Sequence, residues 1–459
     1  MSHLVIGGCA IATMDGEHHG ATGAEYRSGH VAITDGVITA VGEGRFAAGP
    51  GTRYIDGTGC LATPGLINTH HHLYQWLTQG MAQQSVLFDW LTTLYPLWAR
   101  IDADQVHAAA TAGLAWLALS GCSTSTDHHY VFPASRPGAL EAGIEAAAGV
   151  GLRFHPCRGS MDLGRSAGGL PPDEVVEDTE EALAATEDAI RRFHDPSPAS
   201  MVRIAVGPCS PFSVTARLMR EAAALARRTG VRLHTHLAET REEDAYCRQS
   251  LGRTPVEYAD ELGWLGEDVW LAHCVHLDEP AVKRLSVTGT SVAHCPSSNA
   301  RLGSGIAPVR HLLRAGAGVG LGVDGPASSE AATVAGELRQ AVLLARLRRE
   351  DGPAALSARQ ALWLGTRGGA RCLGRDAEIG ALRPGMLADV ALWRIDGLAQ
   401  DPIPDPVAAL VLGAPAPLEL LLVGGAPVVE DGELRTADPR AATRAVRVAR
   451  QRLFEEAAR

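Results

Sequence analysis

Hydrophobic and polar positions fall into two textures along the chain. Near both ends, short apolar or alternating runs are cut by turn residues. Leu4-Val5-Ile6, His30 to Ile33 and Val37 to Val41 are separated by Gly7-Gly8, Asp35-Gly36 and Gly42. Asp-Gly between two such runs is a hairpin signal. The texture returns in Asp389 to Leu392, Leu420 to Val423 and Pro427 to Val429, with Gly424-Gly425 and Asp431-Gly432 as turns. Two β-rich ends around a different middle predict one small β-sandwich assembled from both termini. In the middle, short apolar strands alternate with longer Ala- and Leu-rich stretches of helical texture, such as 177–193 and 216–228. The strands end at His70–His72, Asp127, Arg158, Pro208, His236, His273, Cys295 and Asp324. Eight strands separated by helices form the pattern of a (β/α)8 barrel. The expected fold class is therefore α/β, a TIM barrel with a small β-sandwich. Residues 1–60 and 376–459 supply the sandwich, with a charged terminal helix from Arg440, and residues 61–375 supply the barrel.

Composition narrows the function. At 459 residues the chain suits one large domain with an accessory one. Hydrophobic residues make up 46% and charged residues 20%, which suffices for a large core and argues against wholesale disorder. A formal net charge of −11 without a basic cluster argues against nucleic acid and anionic membranes as partners. With no basic-then-apolar leader and no apolar run of membrane-spanning length, a soluble cytoplasmic protein is expected. Nine scattered cysteines contain no C-x-x-C pair, so reduced thiols are expected rather than a zinc knuckle. The P-C-x-x-C element of the small cytidine-deaminase fold is also missing. Lys283 is the sole lysine, in a stretch that reads as an exposed helix. Schiff-base, P-loop and metal-bridging lysine mechanisms have no residue to use.

The candidate chemistry begins in 61–75, LATPGLINTHHHLYQ. Side chains alternate faces in a strand, so His70 and His72 point one way and His71 the other. Two imidazoles on one face can hold one metal ion, or can simply be two satisfied histidines. What decides is the recurrence of polar residues at other strand ends: His234, His236 and Glu239, then His273, then His294 and Asn299, then Asp324. A barrel gathers its strand ends at one mouth. So many polar groups there would be costly to desolvate unless they served a common ion or substrate.

These residues lie in motifs that resemble the amidohydrolase superfamily. The motifs are PGLINTHHH, HTHLAE, LAHC, HCPSSN and GLGVDG, followed by TRGGARCLG and IGALRPGMLADVAL. The resemblance covers nearly the whole chain and points to the metal-dependent aminohydrolases of nucleobases and triazines. The runs HHHLYQ, GPCSPFSV, HTHLAET and HCPSSNARLGSGI are most similar to 8-oxoguanine deaminases. The resemblance implies that His70, His72, His236 and Asp324 bind one divalent ion, zinc or iron. It implies Asp324 as acceptor of the water's proton, Glu239 as proton shuttle, and His273 as the group that orients the attacking hydroxide. The single lysine agrees with one metal, since two-metal members generally use a modified lysine. A homodimer or higher homo-oligomer is also implied.

Deamination of an aromatic ring needs a strong nucleophile at neutral pH and an acid to protonate a ring nitrogen and then the amine. Glu239 suits the second role, although it could instead be a solvated carboxylate opening the next helix. Gln75 could hydrogen-bond a purine edge, or be a surface residue at a helix start. Arg158 could meet a carbonyl, or pair with an acidic helix residue. Tyr74, Trp76, Trp90 and Phe212 could wall a flat ring, or serve as packing. His71, His128, His129 and His234 are expected in supporting roles. The chain reads GPASSEA after Asp324, where relatives typically read GSASND, so the loop there is expected to be reshaped. The expected reaction is 8-oxoguanine plus water to urate plus ammonia. A triazine aminohydrolase or chlorohydrolase, or a pterin or guanine deaminase, is the alternative.

Overall fold

The computed structural model describes residues 3–348 and 356–458. Five strands open the chain: β1 (His3–Ala12), β2 (Glu25–Thr34), β3 (Val37–Glu43), β4 (Arg53–Asp56) and β5 (Cys60–Pro64). Eight follow through the middle: β6 (Leu66–Asn68), β7 (Cys122–His129), β8 (Arg153–Ser160), β9 (Ala205–Pro208), β10 (Arg232–Leu237), β11 (Val269–His273), β12 (Ser291–His294) and β13 (Val319–Leu321). Four more complete the set: β14 (Val390–Arg394), β15 (Leu418–Val423), β16 (Ala426–Glu430) and β17 (Glu433–Leu434).

The first five and last four strands share one nine-stranded sheet, in the order β17-β16-β15-β14-β5-β1-β2-β3, with β4 beside β1. The two ends of the chain join where β14 pairs antiparallel with β5, Leu392 opposite Ala62. Ile6, Val31, Ile33, Val390 and Leu392 are buried in this sheet's own core. Asp35-Gly36 makes the β2–β3 turn with φ values of 48° and 80°, the left-handed pair that a tight two-residue hairpin requires. The apolar run from Leu61 to Ile67 is not one strand. Strand β5 stays with the terminal sheet, and Pro64-Gly65 turns the chain into the barrel. A Cβ at Gly65 would lie 2.4 Å from Ser123 Oγ, so glycine lets β6 settle against β7.

Strands β6 to β13 lie side by side in chain order, and every pair is parallel. Parallel strands of a barrel are covered on both faces, and β7 and β8 are buried at every position. Between the first and last strands the seam is closed by the histidine and aspartate motifs themselves. The Thr69 N–H donates to the Leu321 carbonyl at 2.9 Å, and the Asp324 N–H donates to the His70 carbonyl at 3.0 Å. Regular pairing therefore stops at Asn68 and Leu321, short of the expected ends at His70–His72 and Asp324.

The helices around the barrel bury one face each. Ala216–Thr229 is capped by the Thr215 side chain, ends at left-handed Gly230, and buries Leu218, Met219, Ala222 and Leu225. The helix expected over 177–193 starts at Thr179, because Asp178 takes the cap. The terminal helix, Pro439–Ala457, lies against Ala103–Leu119, where Gln105 Nε2 donates to the Ala449 carbonyl. Lys283 is exposed on Glu279–Thr288. All nine cysteines are buried and unpaired by disulfides. No described helix is long and apolar enough to cross a membrane. A buried ion pair ties sheet to barrel: Arg153 Nε and Nη2 reach the Asp389 carboxylate at 2.8 and 3.0 Å.

Candidate active site

Four side chains from distant parts of the chain converge at the C-terminal mouth of the barrel. Their hydrogen bonds fix which ring nitrogens carry protons. His72 Nδ1 lies 2.7 Å from the His128 carbonyl and His236 Nδ1 lies 2.7 Å from the Cys209 carbonyl. A carbonyl only accepts, so both Nδ1 atoms donate and both Nε2 atoms keep lone pairs. His70 is set through a relay. His234 Nδ1 donates to the Trp270 carbonyl, so its Nε2 accepts from His70 Nδ1 at 2.8 Å, and His70 Nε2 also keeps its lone pair. Burial, reinforced by neighbouring histidines, pushes the His70 and His236 imidazoles well below the ordinary range, which holds them neutral.

The lone pairs face each other. His72 and His236 Nε2 are 3.1 Å apart, and Asp324 Oδ1 lies 3.3 and 3.2 Å from His70 and His72 Nε2. His70 Nε2 is buried without a hydrogen-bond partner. Ligating atoms of His70, His72 and His236 all fall within 4.8 Å of one another. Without a proton between them such atoms repel; a cation at their centre reverses the sign. Three imidazole nitrogens and one carboxylate oxygen make a donor set suited to a divalent ion such as zinc. The other Asp324 oxygen, Oδ2, accepts from Ser298 Oγ at 2.5 Å and Ser328 Oγ at 3.2 Å. Neither serine was singled out from the sequence, although Ser298 sits in HCPSSN and Ser328 in the GPASSEA loop.

Glu239 and His273 border the same point. His273 Nδ1 donates to Asn299 Oδ1, which leaves Nε2 3.7 Å from Glu239 Oε2 and 4.0 Å from Asp324 Oδ2. Glu239 is buried and its Oε1 has no partner. Burial, then the Asp324 charge, pushes its carboxyl well above the ordinary carboxylate range. Ala238, His273, Cys274 and Asp324 all hold left-handed φ values, 53°, 70°, 49° and 61°. Such conformations cost about 1–3 kcal/mol each in non-glycine residues and concentrate where side chains must be aimed.

Beside these groups lies a cavity walled by Trp90, Tyr95, Tyr130 and Phe212 and reached by His72, His236, Glu239, His273 and Asp324. Of the four aromatics singled out from sequence, Trp90 and Phe212 line it; Tyr74 packs on Trp98 and His129. Gln75 also lines it, with Oε1 and Nε2 both buried and lacking protein partners. Arg158 does not reach it: the guanidinium pairs twice with Glu177, at 2.6 and 2.8 Å, and lies over the Phe132 ring. In the GPASSEA loop, Trp90 Nε1 donates to the Ala327 carbonyl and Glu330 pairs with Arg301 at 3.1 Å, which turns Glu330 away from the metal ligand candidates.

The profile of the Amidohydrolase family matches residues 61–416. The chain belongs to the amidohydrolase family. It is 46% identical over 418 residues to the 8-oxoguanine deaminase of Pseudomonas aeruginosa, covering 90% of this chain and 92% of that one. It is 39% identical over 425 residues to an isoxanthopterin deaminase from an unknown prokaryotic organism, covering 87% of each. Among solved structures, an atrazine chlorohydrolase of Arthrobacter aurescens TC1 complexed with zinc superposes with a TM-score of 0.92 at 33% identity. That superposition covers 97% of this chain and all of that one. Family membership and the deaminase relatives make the protein a hydrolytic aminohydrolase, and this amidohydrolase carries the family's His-rich site for a divalent metal.

Proposed function

We propose that this enzyme hydrolyses the exocyclic amine of 8-oxoguanine, giving urate and ammonia. His70, His72, His236 and Asp324 hold one divalent ion, which we assign as zinc. When bound, the ion lowers the pKa of water towards about 7 and so supplies a nucleophile at neutral pH. The observation that carries the reading is the opposition of three Nε2 lone pairs beside Glu239 Oε1, a buried and unpartnered carboxyl oxygen on the substrate cavity. Asp324 takes a proton from the attacking water, and His273 orients that water through Nε2. Glu239 gives its proton to the ring nitrogen next to the attacked carbon and takes back the remaining hydroxyl proton of the tetrahedral adduct as the C=O bond forms, while the proton held by Asp324 passes to the amine, which departs as ammonia as its C–N bond breaks. Burial pushes the Glu239 carboxyl above the ordinary range and so favours the form that donates; a positioned acid of this kind is worth about 10²–10⁴-fold. Gln75 reads the purine edge with its free donor and acceptor. Arg158, held by Glu177, takes no part in binding the ring.

The same reading divides the chain at about residues 60 and 375, into a barrel and a sheet built from both ends, and places the enzyme in the cytoplasm, where nine buried thiols stay reduced. The test is ammonia release by zinc-loaded enzyme from 8-oxoguanine, isoxanthopterin and a triazine, side by side. The expected order puts 8-oxoguanine first. Glu239→Gln is expected to lose about 10²–10⁴-fold in kcat with zinc still bound; near-normal turnover by that variant contradicts the shuttle role.

A further inference from the structure

Glu243 lies in the first turn of the short helix Arg241–Tyr246 that follows β10, four residues beyond the proposed shuttle, and is fully buried. Thr240 and Glu243 have the spacing of a capping box, in which the glutamate at the third helical position accepts the cap residue's own N–H. The chain contains ordinary boxes of this kind at Asp102/Gln105, Thr254/Glu257 and Ser357/Gln360, and in each the third-position side chain returns to the cap N–H. At Thr240 only half of the box is kept. The Thr240 hydroxyl accepts from the Glu243 N–H, but the Glu243 carboxylate reaches past the cap. Its Oε1 accepts from the Ala238 N–H at 2.7 Å and its Oε2 from the Glu239 N–H at 2.8 Å. One carboxylate thus grips two successive amides, and the first belongs to Ala238, whose φ is 53°. The Ala238 carbonyl is held on the opposite side by the N–H groups of Val275 and His276, both at 2.9 Å.

We infer that Glu243 is a positioning residue for the reaction: by clamping the amides of Ala238 and Glu239 it fixes the left-handed turn that aims the Glu239 carboxyl into the cavity. This rests on the shuttle role assigned to Glu239 above. Without the clamp, the turn can relax to an ordinary backbone conformation, and Glu239 swings off line while the His236 ligand, on the far side of Leu237, stays in β10. Misplacement of a reacting group by about 1 Å costs on the order of 10²-fold in rate.

The test compares Glu243→Gln, Glu239→Gln and the double variant in the zinc-loaded enzyme, with Glu257→Gln as a control for an ordinary capping box. A glutamine at 243 keeps the shape but presents an NH2 to one of the two N–H groups. The expected result is a fall in kcat of about 10- to 100-fold for Glu243→Gln, with KM and bound zinc unchanged, and no effect of Glu257→Gln. In the Glu239→Gln background, Glu243→Gln is expected to cost nothing further, because its effect runs through Glu239. A merely structural role would move KM, zinc content and melting temperature together. If Glu243→Gln is recovered only as insoluble protein, Glu243→Asp withdraws the acceptor by one methylene and carries the same expectation. The inference is overturned if the folded variant keeps kcat within about threefold of the parent, or if its loss is as large with Glu239→Gln as without it. If instead Glu239→Gln itself turns over normally, the shuttle reading falls first.

Discussion

Ser298→Ala isolates the contribution of a single hydroxyl to the metal site. Ser298 is fully buried, and its Oγ lies 2.5 Å from Asp324 Oδ2 and 2.9 Å from Ser328 Oγ. Each hydroxyl has one proton to give; the shorter approach sends that of Ser298 to the carboxylate, which leaves Asp324 Oδ1 facing the imidazoles. A hydrogen bond to a charged group contributes about 1.5–3 kcal/mol, and a fully buried site offers no water to replace it. At about 1.4 kcal/mol per factor of ten, Ser298→Ala is expected to weaken zinc binding about 10- to 150-fold. That range overlaps the 10- to 100-fold typical of losing a partner that orients a metal ligand. Ser328→Ala, whose Oγ lies at 3.2 Å, is expected to cost less. Competition against a chromophoric chelator measures both affinities, and circular dichroism checks that the fold is intact. Zinc affinity within about twofold of the parent for Ser298→Ala, or a larger effect for Ser328→Ala, refutes the argument that these hydroxyls hold Asp324 for the ion.

Three further outcomes rest on the same geometry. Gln75→Ala removes both polar atoms of a buried amide from the cavity wall and is expected to lower kcat/KM about 10- to 100-fold, with bound zinc and melting temperature unchanged. Asp389→Ala strands the buried Arg153 guanidinium and the Gly424 N–H, which donates to Asp389 Oδ1 at 2.7 Å; urea unfolding is expected to show a loss of about 3–5 kcal/mol. Chelator treatment leaves three Nε2 lone pairs opposed and is expected to lower the melting temperature, zinc at about 1,000 times its Kd restoring about 4 kcal/mol.

Residues that carry chemistry were legible where it required a particular side chain at a strand end. His70, His72, His236, Glu239, His273 and Asp324 each follow an apolar run in the alternating middle of the chain, and the structure brings all six to one mouth. The fold was legible for the same reason: two periodicities, one in the middle and one shared by both ends. What stayed hidden depends on loop paths and side-chain torsions. Arg158 has the chemistry to bind a ring oxygen, but Glu177, nineteen positions on, is carried back by the loop after β8 and takes both guanidinium edges. The split of Leu61–Ile67 between two sheets turns on a close approach of Gly65 to Ser123 that no local pattern records. Ser298, Ser328 and Glu243 are common residue types at unexceptional spacings; only the short helices and the turn after β13 that carry them direct them at Asp324 and Glu239.

In the proposed site one divalent ion sits among the Nε2 atoms of His70, His72 and His236 and Asp324 Oδ1. Anomalous scattering from crystals of the zinc-loaded enzyme, measured on either side of the zinc absorption edge, tests it most directly. A single strong peak is expected about 2.0–2.1 Å from each of those nitrogens. A peak centred instead on the neighbouring His70–His128–His234 cluster, or no peak at the barrel mouth, contradicts it.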